Sequence, residues 1–561
     1  MTYPSKELCK TLKRAALIGL PIMLLVWYLT AGKPQALLFV GGAAYTMDSR
    51  DSVAEAVLVE RGVITAIGSS KEVRAQAPID ARVIELNGRA LLPGFIDAHS
   101  HFPVGVIDHL GVQLSATSTA PIVNNNELLN RVREAVKITP AGKWIVGFNY
   151  DNTVFPSGQH PNRQQLDQVT SAHPVYLRHI SGHMGVANSV ALHALQINKK
   201  DKALQPFLGV DPQTGELNGL LQEAAAPNLA RFIRVFSASQ LIDAYKQTQQ
   251  EYLAAGVSTV QNGLANSKIS KLLRFLQLVG VLPQHVVTWV DADYADNNSP
   301  RQSADFRQAT VKLIVDGSPQ GKTAYLTKPY YLNKAKPASF RGAPLLTQSE
   351  LDERVLRYHK AGYQIALHGN GDAAIDMIIA AVARAQLVVE RPDARHILVH
   401  AQTIRSDQIN QLLALAITPS FFNTHTFYWG DWHKKETLGP DRAQRISPLA
   451  DALDAGLRFT LHSDAPVTPI QPLQLVWSAL NRHTRSGHVL GEAQQISLTS
   501  ALRAITIDAA WQSHIDQDRG SIELGKLADL VVLSGDPYAV DDIRTLNVDF
   551  TYIDGEEVFS R

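Results

Sequence analysis

Pro93-Gly94-Phe95-Ile96-Asp97-Ala98-His99-Ser100-His101 reads as a short apolar strand ending in His-x-His. Residues two apart in a strand share a face, so His99 and His101 are expected to present two imidazoles side by side at the strand end. Two neutral imidazoles on a rigid strand supply half a site for zinc or a similar divalent ion. Taken alone, the pair is equally readable as one capped surface histidine beside one packed in a core.

Outward from this stretch, apolar strands alternate with long helical segments, the pattern of a parallel sheet. After His101 the strands are expected at Val257 to Gln261, Gln284 to Val290, Val311 to Asp316, Gln364 to His368, His396 to His400, Ala416 to Phe421 and Leu457 to His462. With the opening strand they make the eight of a (β/α)8 barrel of the TIM type, an α/β fold. The barrel is expected over residues 93–514. The segment from about 102 to 252 is too long for one strand-to-helix connection. It carries strands of its own, at Lys143 to Phe148 and Pro174 to His179, and reads as a cap inserted after strand one.

Both flanks have a different texture. Ala36 to Val40, Ala56 to Glu60, Val63 to Ile67 and Arg82 to Glu85 read as short strands punctuated by Gly41-Gly42, Arg61-Gly62 and Asn87-Gly88. Ala528 to Leu533, Val548 to Ile553 and Glu557 to Phe559 repeat that character, with Asp554-Gly555 as a turn. Residues 35–92 and 515–561 are therefore expected to form one small β-sandwich from the two chain ends.

The 561 residues exceed one ordinary domain, and 45% hydrophobic with 19% charged residues suits a large soluble core. A formal net charge of +1, with no Lys/Arg run beyond the N-terminus, argues against nucleic-acid binding. Cys9 is the single cysteine, so disulfides and Cys-ligated zinc are excluded for the folded body. Residues 1–34 carry Lys6, Lys10, Lys13 and Arg14 before the apolar run Ala15 to Leu29. This is expected to act as a signal anchor, basic end in the cytoplasm and body exported to the periplasmic side. Thr30 and Gly32 offer only weak small-residue positions for signal-peptide cleavage and release. Oligomeric state leaves no trace in the sequence.

Reactive groups of such a barrel come from the C-terminal ends of its strands. Strand one supplies His99 and His101, strand five His368, strand six His400, and Asp464 follows strand eight, a convergence that a metal site explains economically. Lys312 stands inside a strand that should be apolar, where an unpaired ammonium is costly. Two readings remain open for it: an ion pair with Asp316, or carbamylation by carbon dioxide, which converts the amine into an oxygen ligand.

PGFIDAHSH, VKLIVDGS, LHGNGD, LVHAQ, SDAPV and the closing GSIELGKLADLVVLSGDP resemble the amidohydrolase superfamily. More narrowly they are similar to its YtcJ-like and N-substituted-formamide-deformylase-like branch, the amidohydrolase 3 group. The resemblance runs from about residue 36 to the end. It implies His99 and His101 on one metal, His368 and His400 on another, carbamylated Lys312 as bridge, and Asp464 as ligand and base. The metal is expected to be zinc, one or two ions per chain; iron and manganese suit the same donors. Such an ion activates water near neutral pH. Asp464 is expected to take a proton from the attacking water and return it to the leaving nitrogen. The implied activity is hydrolysis of a C–N bond, other than a peptide bond, in a small N-substituted amide or formamide. A cyclic amidase or deaminase on the same barrel and a non-catalytic exported binding protein are the alternatives.

Substrate contacts are expected from the cap and rim. Arg178-His179-Ile180-Ser181-Gly182-His183 resembles a family segment near the substrate, which singles out His179 and His183. His425 and Trp429 lie in an aromatic-rich stretch after strand seven that suits a substrate wall, and Trp144 with Tyr150-Asp151 in the insertion is a further candidate lining.

Overall fold

The computed structural model describes residues 36–116, 122–303, 305–332 and 337–561. The apolar run Ala15 to Leu29 lies outside the described residues. Among those described, no helix is long and apolar enough to cross a membrane.

The chemistry is carried by a parallel sheet whose strands follow one another in chain order. They are Phe95–Ile96, Val257–Ala265, His285–Val290, Phe306–Ile314, Gln364–Gly369, Ile397–His400, Thr418–Phe421 and Thr460–Leu461. The sheet curls until the segments after its first and last strands meet. The Asp464 amide donates to the His99 carbonyl at 3.0 Å, and the His101 amide to the Ala465 carbonyl at 2.9 Å. These strands are buried on both faces, and Val257–Ala265 and Phe306–Ile314 bury polar residues as well as apolar ones. Ile365, Leu367 and Leu398 pack with Ile375, Ile378 and Val382 of the helix Asp372–Val388 in one core. The helix Gln348–Lys360 opens with a reciprocal cap between Thr347 and Glu350.

The chain ends meet in a second sheet. Its order is Glu556–Ser560, Val548–Ile553, Leu530–Leu533, Leu91–Pro93, Ala36–Tyr45, Val53–Glu60 and Val63–Gly68, with Arg82–Glu85 alongside Ala36–Tyr45. Arg61-Gly62 and Asp554-Gly555 form the expected two-residue turns, all four residues at positive φ. Gly41-Gly42 is not a turn. It lies inside the strand Ala36–Tyr45, at a register shift between Val40 and Ala44, where a Cβ on Gly42 would stand 2.2 Å from the Arg89 carbonyl oxygen.

A third sheet falls in sequence between the first two strands of the parallel sheet. It joins Val112–Gln113, Ile145–Tyr150, Val175–His179, Met184–Ala187, Leu217–Gln222 and Leu208–Val210. Phe148, Tyr176, Leu221 and Phe232 build one core beside it, and Leu114, Ile145, Val175 and Leu177 another.

The opening stretch departs from expectation. Pro93 pairs with Leu530 in the terminal sheet, and only Phe95–Ile96 joins the parallel sheet. The chain changes sheets at Gly94, where a Cβ would fall 2.4 Å from Ser258 Oγ. His99 and His101 therefore lie beyond the strand, His99 in a bend and His101 at an isolated bridge to Asn262, rather than at its last residues. The strand carrying Lys312 runs Phe306–Ile314, so Lys312 stands two residues from its end and Asp316 lies outside it.

Candidate metal centre

Asp97 ties the first and last strand segments together. Its carboxylate accepts from the His99 and Ser463 amides, at 3.2 and 3.3 Å, and from the Ser463 hydroxyl. Burial nevertheless lifts its pKa to about 7. The clamp sets His99 and Asp464 facing each other at the mouth of the curled sheet.

Gln261 orients His99. Its Oε1 accepts from His99 Nδ1–H at 3.0 Å and from the Ser100 amide at 2.8 Å. The His99 ring stacks on Trp289, centroids 4.6 Å apart. Gly263 is required for this approach, since a Cβ there would lie 2.1 Å from the ring. With Nδ1 committed, Nε2 presents its lone pair to the centre, 3.5 Å from Asp464 Oδ1; His101 Nε2 lies 3.2 Å from the same oxygen. His99, His101 and Asp464 thus offer three ligand atoms all within 4.8 Å of one another.

His368 and His400 close the cluster from the neighbouring strands, their rings 4.5 Å apart and His400 5.6 Å from His99. Each has one nitrogen taken from behind. His368 Nδ1 faces Asp316 Oδ1 at 3.3 Å, and His400 Nδ1 lies 3.0 Å from His462 Nε2. His462 Nδ1 in turn meets Ser420 Oγ at 2.8 Å, Ser420 Oγ is 2.8 Å from Thr460 Oγ1, and Thr460 donates to Gln512 Oε1 at 2.7 Å. Gln512 Nε2 closes the chain on the Ala98 carbonyl at 3.0 Å. A carboxylate or polar chain behind each imidazole fixes its tautomer and aims the other nitrogen forward. His400 and Asp464 hold left-handed backbone, φ 77° and 53°, a conformation that clusters at functional sites.

Burial pushes the His99 and His400 imidazoles well below their ordinary pKa, reinforced by Lys312 and neighbouring histidines. Burial alone would raise the Asp464 carboxyl, but His101, His462 and Lys312 outweigh it and the net shift is downward. Neutral imidazoles beside an ionised carboxylate are the protonation states a divalent cation binds.

Lys312 is buried, its Nζ 3.2 Å from His99 Nε2 and 5.0 Å above the Trp289 ring. Burial pulls its ammonium down to about 7. The alternative pairing with Asp316 is not formed. That carboxylate accepts instead from the Tyr325, Asn370 and Gly371 amides at 2.9, 3.0 and 2.8 Å.

The rim residues divide. His183 lines the cavity over the centre and meets Glu223 Oε2 through Nδ1 at 2.9 Å. Burial opposes its protonation, but Glu223 outweighs burial and the pKa rises. His425 lines the same cavity, its Nδ1 3.0 Å from His433 Nε2. Three expected contacts do not reach it. His179 spends both nitrogens on Ser181 Oγ and Asn152 Oδ1, at 2.9 and 3.1 Å. Trp144 packs on Phe232 at a centroid distance of 5.5 Å, satisfying the apolar demand of its own sheet. Trp429 donates Nε1–H to Asp151 Oδ2 at 2.9 Å and, packed against Ile180 and Phe422, links the rim to the inserted sheet. Tyr150 and Asp151 stand there too, rather than at the centre. Gln261, His462 and Glu223 escaped the sequence reading. Only their polarity at or near strand ends could have pointed to them.

A curled parallel sheet with imidazoles and a carboxylate gathered at its mouth defines a metal-dependent hydrolase. The family model described as "Amidohydrolase family" matches residues 82–559, and the chain belongs to that family. It is 30% identical over 547 residues to N-substituted formamide deformylase of Arthrobacter pascens, spanning 92% of this chain and 97% of that one. It is 26% identical over 539 residues to the putative amidohydrolase YtcJ of Bacillus subtilis (strain 168), spanning 93% and 99%. Among solved structures, an uncharacterized metal-dependent hydrolase from Pyrococcus horikoshii OT3 superposes with a TM-score of 0.70 at 23% identity, covering 90% of this chain and 99% of that one, a likeness of fold. The chain is thus a hydrolase acting on carbon–nitrogen bonds other than peptide bonds.

Proposed function

We propose that this enzyme hydrolyses the C–N bond of a small N-substituted amide, with a formamide as the leading class. The observation that carries the reading is the convergence of His99 Nε2, His101 Nε2 and Asp464 Oδ1 with no side-chain proton between His99 Nε2 and the carboxylate. The similarity to a protein named N-substituted formamide deformylase favours the formamide.

The donor set fits a divalent ion: lone pairs face one another, and Asp464 Oδ1 is buried without a hydrogen-bond partner among the described residues. His99, His101 and Asp464 would hold one zinc-like ion, and His368 with His400 a second. Bound there, the metal supplies Lewis acidity and water activated near neutral pH. Lys312 is read as the bridge. Its amine, drawn toward neutrality by burial, would add to carbon dioxide with loss of a proton, giving a carbamate whose oxygens would help hold the metal.

The remaining steps belong to the chain. Asp464, ionised and 3.2 Å from His101, accepts the proton of the attacking water, carries it and delivers it to the leaving nitrogen. His183, held by Glu223, turns its free edge to the substrate oxygen. The rim and inserted sheet keep bulk water out.

In this reading the parallel sheet is a closed (β/α)8 barrel spanning 93–514, residues 102–252 its cap, and 35–92 with 515–561 a β-sandwich. Residues 1–34 anchor the protein with its body on the periplasmic side. Fractionation of cells expressing the full chain tests the anchor; recovery of the protein in the cytosol overturns it.

The function is tested by incubating metal-reconstituted protein with a panel of N-substituted formamides and measuring formate and ammonia. Formate with the free amine is expected. Ammonia without formate would assign a deaminase, and no hydrolysis of any amide at full metal content would overturn the proposal.

A further inference from the structure

Three successive strand-end loops build one arc of the mouth: Ser318 and Gln320 after Phe306–Ile314, Asn370 after Gln364–Gly369, and Gln402 after Ile397–His400. All four side chains are at least nine-tenths buried, with 5%, 5%, 3% and 1% of their surface exposed. All four line the cavity over the centre, a small, partly open space of about 20 Å³. Ser318 Oγ, Gln320 Oε1, Asn370 Oδ1 and Gln402 Oε1 have no hydrogen-bond partner among the described residues. For Asn370 the orientation is fixed, because Nδ2 donates to the Gly317 carbonyl at 2.8 Å and leaves Oδ1 over. Phe422 and Val467 are the two apolar side chains of the lining.

We infer that this arc recognises a neutral, hydroxyl-bearing N-substituent on the substrate. The inference rests on the C–N hydrolase reading above. Three amide carbonyls and one hydroxyl oxygen call for donors. Burying them against an alkyl or benzyl group would leave each unsatisfied, a desolvation penalty with nothing to offset it. A site built for hydrogen bonds rejects the analogue that lacks them far more strongly than an apolar pocket rejects an added hydroxyl. The arc is uncharged, and the cavity's one carboxylate is Asp464, which is committed to the reaction. An ammonium group therefore finds no counter-charge of its own, whereas hydroxyls match the neutral oxygens.

The test compares N-formylserinol with N-(pentan-3-yl)formamide, in which methyl groups replace the two hydroxyls at equal length. With the metal-reconstituted full chain, kcat/KM is expected to favour the diol at least tenfold. Gln320→Leu and Gln402→Leu are each expected to bring that ratio towards one, with thermal unfolding followed to confirm that both variants fold. Equal or faster turnover of the alkyl formamide overturns the inference and leaves the hydrolase reading standing. If neither is hydrolysed at full metal content, the hydrolase reading fails and binding decides. A rise in Tm with N-formylserinol, present in the native chain and lost in Gln402→Leu, supports the hydroxyl site; no rise at saturating diol overturns it.

Discussion

Among the described residues, two three-ligand clusters of histidine and aspartate lie at opposite ends of the parallel strands, and proton affinity separates them. At the mouth, His99, His101 and Asp464 gather with other imidazoles and Lys312 around them. At the base, His285 opens its strand. Its Nε2 lies 3.3 Å from Asp529 and 3.4 Å from Asp554, and its Nδ1 3.3 Å from Asp305. Both groups satisfy the distance demanded of a three-ligand cation site. In the first, burial and neighbouring positive groups strip the histidine and free its lone pair. In the second, burial is outweighed by Asp529 and its fellow carboxylates, and the imidazole pKa is driven well above its ordinary value. The base cluster already contains its cation, the imidazolium, and clasps the parallel sheet to the terminal sheet that carries Asp529 and Asp554. Residue type and spacing do not make a metal site; the charge of the second ring of neighbours does.

The largest effect expected from breaking the contrast is at Asp464. Asp464→Asn keeps the shape and removes the proton acceptor, and should lower kcat by roughly 10²–10⁴-fold. Metal held by the histidines should remain, checked by elemental analysis of the purified variant. Turnover within a few fold of the native enzyme would remove Asp464 from proton transfer.

The same deletion logic at the base should cost stability instead. His285→Ala removes the closer of two buried cations from Asp529, leaving Arg519 at 3.9 Å, a loss of about 3 kcal/mol, the lower end for a broken buried pair because Arg519 remains and Asp305 and Asp554 reach solvent. Urea unfolding measures it. Metal content and kcat should be those of the native chain; loss of a bound metal with His285 would make the base a second metal site.

A smaller effect belongs to the polar chain behind His400. His462→Phe removes the partner of His400 Nδ1 and frees the ring to choose either tautomer, which should weaken metal binding about 10–100-fold. Competition with a chelator reads the affinity directly. An unchanged affinity would mean that packing alone holds His400.

The mouth was legible in sequence because its candidate ligands sit at or just past strand ends, where an apolar run stops at a histidine. His99, His101, His368, His400 and Asp464 all come together as that pattern implies. Their supports were hidden for a physical reason. Gln261 lies 162 residues from His99 and His462 lies 62 from His400, and only closure of the sheet brings them together. Trp144 misled because an aromatic serves a substrate wall and a small core equally well. Gly41-Gly42 misled because glycine permits a bulge as readily as a turn. The base cluster gave no local signal at all, since His285 opens a strand of the parallel sheet while Asp529 and Asp554 flank strands of the terminal sheet.

The smallest expected effect is also the one that reads the contrast most directly, through pH. His285 has its folded-state pKa raised, so its ion pairs contribute fully below the unfolded imidazole value of about 6.5. That contribution is lost as pH climbs from there through the raised folded value. The stability of the native chain relative to His285→Gln, which hydrogen-bonds but carries no charge, should therefore fall as pH climbs above about 6.5. Lysines deprotonating at higher pH affect both chains alike, so the difference between the two curves isolates the latch. A difference that stays flat over this window would mean that His285 is neutral when folded. The base would then join the mouth as a place where a histidine keeps its lone pair for something else.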